Sequence, residues 1–141
     1  MGQLNNDGKF EIQLIVTADD IDELNHVSNV VYVRWVQEVA VAHWQALASE
    51  EAQRKVVWVV LRHEIDYKTP AVVGDDLIIR TWVGRVTGIT FERHTEMVRL
   101  PDERLLASAR TVWCPISTET GRPTRVGAEI REQFSSRVSL G

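Results

Sequence analysis

One polar stretch of the sequence holds side chains that can perform hydrolysis. Asp22, Asn25 and His26 stand together in the acidic run 19–29, and an apolar run begins directly after Asn29. A carboxylate can act as a general base for water or as a nucleophile, and an imidazole can orient it. Residues 19–29 are therefore a candidate catalytic loop, in which Asn25 is typical of a turn.

The apolar run that follows predicts a long helix, from the end of the loop to about Ala48. Ser28 or Asn29 is a suitable N-cap for it. The first N–H groups of a helix lack partners and carry a partial positive charge, so they can stabilise an oxyanion. The sequence therefore predicts a possible base beside a possible oxyanion site. Apolar residues cover most of this helix, and we expect it to be buried.

The rest of the chain alternates apolar and polar residues as β-strands do. Strands are predicted at residues 9–17, 56–67, 77–85, 89–100 and 105–116, with a polar link at 49–55 and a short helix at 128–134. The last four strands have short connections, which predicts an antiparallel meander. A sheet that bends around one long helix covers the apolar faces of both, so we expect an α+β architecture.

Composition limits the possible functions. The 141 residues fit one domain spanning 1–141, and the net charge of −4 is spread along the chain, which gives no reason to expect nucleic acid or a membrane surface. No apolar run approaches the roughly 18 residues of a membrane span, and the N-terminus has no signal-peptide pattern. The single cysteine, Cys114, rules out a disulfide framework and favours the cytoplasm.

Two short motifs stand at the loop and at a later strand. Residues 20–22 (DID) precede residues 26–32 (HVSNVVY), and residues 62–67 (RHEIDY) precede the turn residues 70–75 (PAVVGD). With the order of the elements, these motifs resemble the hotdog-fold acyl-CoA thioesterases, in particular the 4-hydroxybenzoyl-CoA thioesterase-like family and the related acyl-carrier-protein thioesterases. The resemblance implies a hotdog fold, in which an antiparallel sheet wraps around one long central helix.

The resemblance also implies roles for individual residues. Asp22 aligns with the catalytic aspartate of the 4-hydroxybenzoyl-CoA branch, and Asn29 with the position whose backbone N–H polarises the thioester carbonyl. His26 lies where the acyl-carrier-protein branch has polar residues implicated in catalysis, although that branch has its asparagine at the position of Leu24. Glu38 is a rival to Asp22, because some hotdog thioesterases carry their carboxylate on the central helix.

The implied reaction is hydrolysis of an acyl-CoA to free acid and CoA by a homodimer or dimer of dimers, with sites at the subunit interface. CoA belongs to the substrate, and no other cofactor is expected. The sequence has no cysteine pair and no histidine pair at ligand spacing on a helix, so no metal is expected. Guanidinium groups pair bidentately with phosphate. The candidate substrate-binding residues are Tyr32, His63, Arg85, Arg93, Arg122 and Arg125.

Each candidate has a structural interpretation as well. Asp22 could simply form a turn, His26 could bond to its own loop, and His63 could be a buried core histidine. The four arginines could be ordinary surface charges, and Asp20 is interpreted mainly as loop architecture. Two other functions remain open: a hotdog hydratase or dehydratase that pairs Asp20 or Asp22 with His26, and a non-catalytic module that binds acyl thioesters.

Overall fold

A long helix lies on one face of a six-stranded antiparallel sheet in the computed structural model, which describes residues 2–134. The elements are β1 (Gln3–Leu4), β2 (Phe10–Ile15), a 3₁₀ turn (Ala18–Asp20), α1 (Asn29–Leu47), α2 (Glu50–Lys55), β3 (Val56–Tyr67), β4 (Asp76–Thr87), β5 (Thr90–Leu100), β6 (Arg104–Ser117) and α3 (Ala128–Phe134). The α+β architecture that the sequence predicted is confirmed.

The strand order β1-β2-β4-β5-β6-β3 corrects one expectation. Only β4, β5 and β6 form a meander, because β3 pairs with β6 at the edge of the sheet instead of with β4. Residues 68–75 must therefore cross three strand spacings, roughly 14 Å. Eight extended residues reach roughly 26 Å. A connection that looks short in sequence is thus long enough to pass over two strands.

Two short elements were absent from the sequence prediction. The first is β1, which has two residues, and the second is α2, which occupies the region predicted as a polar link. Ser49 begins α2 as its N-cap by accepting a hydrogen bond from the backbone N–H of Ala52. None of the residues of α2 is buried, so no apolar periodicity marked it as a helix.

The inner face of the sheet packs against α1 and forms the core. Inward positions alternate along β4, β5 and β6, as a sheet with one covered face requires. The largest fully buried apolar side chains are Phe10, Val16, Val36, Val39, Leu77, Ile79, Met97 and Leu106. Their contacts hold α1 against the centre of the sheet, which positions both ends of the helix.

The outer face of α1 is open to solvent, so the expectation of a wholly buried helix is wrong for the single chain. Val30 is 76% exposed and Val41 is 46% exposed. The sheet can cover only one side of a helix, and these valines lie on the other side. On β3, the edge strand, Val59 and Leu61 are exposed too. In the part of the chain that is described, no helix is long and apolar enough to cross a bilayer.

Candidate functional site

The acidic loop is a closed turn in front of α1. Ile21 and Val27 pair as an antiparallel bridge, and the N–H of Asp22 donates to the carbonyl of His26 over 2.8 Å. Asn25 takes a φ of 63°, a left-handed conformation that asparagine tolerates better than most residues. The polar residues between the bridge partners are thereby held in one tight loop.

One of the two carboxylate oxygens of Asp22 is hydrogen-bonded within this loop. Oδ1 accepts the backbone N–H of Leu24 at 2.8 Å and, more weakly, that of His26 at 3.4 Å. Among residues 2–134 no donor contacts Oδ2, and the side chain is exposed. Asp22 therefore does form a turn, as the structural interpretation predicted, but one oxygen stays free to accept a proton. The His26 imidazole has no hydrogen-bond partner within the same range.

The first turn of α1 presents an unpaired backbone donor. Ser28 is the N-cap: its Oγ accepts the N–H of Val30 at 3.3 Å, and its carbonyl accepts the N–H of Val31 at 2.9 Å. The N–H of Asn29 has no acceptor in the described part of the chain, and Asn29 is exposed. The positive end of a 19-residue helix therefore faces solvent next to the loop.

Asp20 fastens the loop to the helix. Its carbonyl accepts the N–H of Ser28 at 2.9 Å, and its carboxylate accepts the N–H of Thr17 and Nη2 of Arg34, each at 3.0 Å. Burial by itself raises the pKa of Asp20, but these hydrogen bonds outweigh it, so the pKa lies below its ordinary value. Asp20 is loop architecture, as interpreted from sequence. Arg34 also pairs with Glu38 across 3.2 Å, which places Glu38 on the exposed face of α1.

The connection between β3 and β4 is hydrogen-bonded to the loop as well. The N–H of Val27 donates to the carbonyl of Ala71 at 2.9 Å, and the N–H of Ala71 donates to the hydroxyl of Tyr32 at 3.2 Å. Burial raises the pKa of Tyr32, so this hydroxyl remains protonated. Tyr32 thus holds the loop in place through Ala71. Ala71, one of the turn residues 70–75, is fully buried by these contacts.

Arg93 lies inside the protein, away from the surface where a CoA phosphate would bind. It points inward from β5, is only 8% exposed, and places Nη1 3.0 Å from Nδ1 of His43 and 3.1 Å from Oγ1 of Thr81. Burial lowers the pKa of Arg93 to about 10, so the guanidinium stays charged at neutral pH. Burial and the Arg93 charge lower the pKa of His43 to about 2, so the imidazole is neutral and accepts the bond.

Further polar residues continue this cluster across the inner face of the sheet. Oγ1 of Thr81 lies 3.3 Å from Oγ1 of Thr95, and Nδ1 of His63 lies 3.2 Å from Oγ1 of Thr111. His63 is half-buried, so it is not the fully buried core histidine of the structural interpretation, and this burial lowers its pKa. We call the following residues the polar belt: His43, His63, Thr81, Arg93, Thr95 and Thr111. The sequence prediction did not identify the three threonines as members of a buried polar cluster. Each occupies an inward position on its strand, β4, β5 or β6.

A cavity of about 250 Å³ adjoins the belt, between the C-terminal half of α1 and the sheet. Its main lining residues are Trp44, Trp58, Val83, Phe91, Arg93 and Trp113. Trp44 and Trp58 are part of this lining, whereas Trp35 belongs to the core and packs edge-on against Tyr32. Most of the lining is apolar; the polar lining residues are Arg93, Gln45 and Gln53.

The other three candidate arginines are exposed: Arg85 lies on β4, whereas Arg122 and Arg125 lie on the loop between β6 and α3. Arg85 stands at an irregularity in the pairing of β4 with β5. Arg125 and Lys55 line an open cleft of about 460 Å³ beside α2 and α3. The structure therefore does not gather the four arginines into one phosphate site.

Residues 16–134 match the model of the thioesterase-like superfamily. The chain is 23% identical over 134 residues to the long-chain acyl-CoA thioesterase FadM of Escherichia coli K12, covering 92% of this chain and 99% of that one. Similar solved structures include the 1,4-dihydroxy-2-naphthoyl-CoA thioesterase Slr0204 from Synechocystis (18% identity, TM-score 0.76, 90% of this chain and 96% of that one covered). They also include SAV2348 from Staphylococcus aureus in complex with CoA (16% identity, TM-score 0.78, 89% and 80% covered). The expected hotdog fold is confirmed.

Proposed function

We propose that this chain, which belongs to the thioesterase-like superfamily, hydrolyses acyl-CoA thioesters to free acid and CoA. Two observations carry the proposal: Asp22 keeps one carboxylate oxygen open in a loop that Asp20 fastens to the helix, and the N–H of Asn29 is exposed at the start of that helix. The relative FadM is named as a long-chain acyl-CoA thioesterase, and SAV2348 was crystallised with CoA, which supports a CoA ester as substrate.

In the proposed reaction the thioester carbonyl accepts a hydrogen bond from the N–H of Asn29. The charge that develops on this oxygen is stabilised by the helix end; removal of one such donor costs about 2.7–4 kcal/mol in comparable sites. Asp22 takes a proton from the attacking water as general base, or attacks the carbonyl carbon itself and forms an anhydride that water then cleaves. The C–S bond breaks and CoA leaves as the thiolate. The backbone N–H of Leu24 and, more weakly, that of His26 orient the carboxylate of Asp22.

We further propose that a second copy of the chain completes the site. The loop and the helix start are exposed in the single chain, so no described part of it encloses a substrate there. No strand within residues 2–134 pairs with the outer edge of β3, and its exposed apolar residues Val59 and Leu61 suit contact with an identical strand. The exposed Arg122 and Arg125 are then candidates for the CoA phosphates. With a single cysteine, we place the enzyme in the cytoplasm.

A thiol-release assay over a panel of acyl-CoA esters tests the proposed function. We expect release of CoA from at least one aliphatic or aromatic ester, with no loss of enoyl absorbance when 2-enoyl-CoA is supplied. Loss of enoyl absorbance without thiol release would indicate a hydratase. Binding of CoA esters without any turnover would indicate a non-catalytic module, and either result contradicts the proposal.

A further inference from the structure

The buried charge of Arg93 has no anionic partner. Its two hydrogen bonds go to the neutral groups of His43 and Thr81, and no carboxylate among residues 2–134 forms an ion pair with it. Buried charges in proteins are normally paired, because the loss of hydration is not otherwise compensated. The arrangement therefore lacks a negative charge that a bound ligand can supply.

Arg93 still has donors to offer. A guanidinium carries five N–H groups, and only Nη1 has acceptors in the described part of the chain, so the donors on Nε and Nη2 remain. Arg93 forms part of the cavity wall, and none of the described lining residues is acidic. Trp58 and Trp113 also line the cavity, and their indole N–H groups have no acceptor among residues 2–134. Neighbouring atoms cover both indole nitrogens, so an acceptor reaches them only after the rings shift.

The remaining wall determines what can accompany the negative charge. It is built from large apolar side chains, among them Trp44, Phe91 and Phe134. The exposed residues Val41 and Val57 also line the cavity, which opens it to the surface between α1 and β3. The site thus suits a ligand with an apolar body and an anionic inner end. A carboxylate matches the planar guanidinium fork and needs fewer donors than a doubly charged phosphate.

We propose that this cavity binds an apolar chain or ring that ends in a carboxylate, with the carboxylate against Arg93. The carboxylate has two possible sources, a free carboxylic acid or the far end of an acyl group whose other end is esterified to CoA. The second source rests on the proposed hydrolase function, whereas the first does not. The cavity would then select acids by charge as well as by length.

Titration of the purified protein with decanoate and with decan-1-ol tests the site directly. The two probes have the same chain and differ only in the charged end. Binding is followed by tryptophan fluorescence, since three tryptophans line the cavity, and by calorimetry. We expect decanoate to bind about ten- to a hundredfold more tightly, the usual value of hydrogen bonds to a charged group. Equal affinity for the two probes in the wild-type protein would overturn the proposal.

Variants test whether Arg93 causes the tighter binding of decanoate than of decan-1-ol. Arg93→Met should remove this preference. Arg93→Lys keeps the charge without the planar fork, so it should retain a smaller preference. Arg104→Met is the matched control, because Arg104 is exposed and bonds only to Thr69. If decanoate keeps its advantage in Arg93→Met, or loses it in Arg104→Met, the assignment to Arg93 is wrong.

A second assay distinguishes the two sources of the carboxylate. The specificity constant kcat/KM is compared for palmitoyl-CoA and for the mono-CoA ester of hexadecanedioic acid, in the wild type and in Arg93→Met. A sixteen-carbon chain is used because it can span the roughly 18 Å from the start of α1 to the Arg93 cavity. A preference for the second ester that Arg93→Met abolishes assigns the site to the acyl group. Decanoate binding without such a preference assigns it to a free acid. If neither ester is hydrolysed, the proposed function fails while the binding result still stands.

Discussion

Nη2 of Arg34 lies 3.0 Å from Oδ1 of Asp20, and this ion pair joins the second turn of α1 to the loop that precedes the helix. The hydrogen bond from the N–H of Ser28 to the carbonyl of Asp20 closes the same loop at its base. Asp22 lies in the segment between Asp20 and Ser28, whose two ends this hydrogen bond joins. Residues that take no part in the proposed chemistry therefore fix where the carboxylate stands relative to the exposed N–H of Asn29.

Asp20→Asn should destabilise the protein in a pH-dependent way. At pH 7 we expect a loss of about 1–3 kcal/mol in the free energy of unfolding, because a charge-assisted hydrogen bond from Arg34 is weakened. The pKa of Asp20 is lowered in the folded protein, so its stabilisation is complete above the ordinary value of 3.8 and is lost as the pH falls through the lower, folded value. Urea unfolding at pH 7 and in steps below pH 4 measures this; a constant difference between variant and wild type would contradict it.

Asp22→Asn should abolish most of the thioesterase activity and leave the fold intact. The amide oxygen of asparagine can still accept the N–H of Leu24, so the turn is kept. It cannot accept a proton from water, and we expect kcat to fall by about 10²–10⁴-fold. Thiol release is the measurement, and circular dichroism checks the fold. Asp19→Asn is the control from the same loop, and a wild-type rate in Asp22→Asn would remove Asp22 from the mechanism.

Glu38→Gln discriminates between the two candidate carboxylates. Glu38 forms an exposed ion pair with Arg34, and such pairs contribute about 0.3–0.5 kcal/mol to stability. We expect thiol release within about twofold of wild type, a change in barrier of well under 1 kcal/mol. A loss as large as that expected for Asp22→Asn would instead place the catalytic carboxylate on the central helix.

His43 should make the protein less stable as the pH falls below 6.5. The folded protein keeps His43 neutral down to a pKa of about 2, whereas the unfolded chain takes up a proton near 6.5. The unfolded state therefore binds more protons between these values, and stability drops by at most about 1.4 kcal/mol per pH unit. His43→Gln keeps an acceptor for Arg93 but cannot titrate. Urea unfolding between pH 4 and pH 7 should show a shallower decline for the variant; parallel curves would argue against this role.

Val59→Lys should disrupt the proposed dimer. A lysine on the outer side of β3 places a charge where we expect an identical strand to approach, and charges at the centre of an interface are unfavourable. Sedimentation should show the monomer mass, and activity should fall with it if the partner completes the site. Ile89→Lys, in the turn between β4 and β5, is the matched exposed control. A dimer mass for Val59→Lys would exclude β3 from the interface.

Local features of the sequence were enough to predict the long helix and most strands. Ser28 marks the start of α1 because the capping bond is made within two residues. The neighbour of β3 could not be predicted, since strand order depends on pairing across the whole sheet. Arg93 occupies an inward position between Phe91 and Thr95, yet a charged residue there is normally assigned to the surface. Its partner His43 comes from a distant helix, which no local pattern reveals.

The loop and the Arg93 cavity lie toward opposite ends of α1. From Asn29 to Val41 the helix rises by roughly 18 Å, twelve residues at 1.5 Å each. Under the two proposals, reactivity and substrate choice are encoded by different parts of the chain. Libraries that vary Trp44, Val83 or Phe91 would sample new acids while leaving bond cleavage to an unaltered loop, so the scaffold lends itself to the evolution of selectivity without loss of rate.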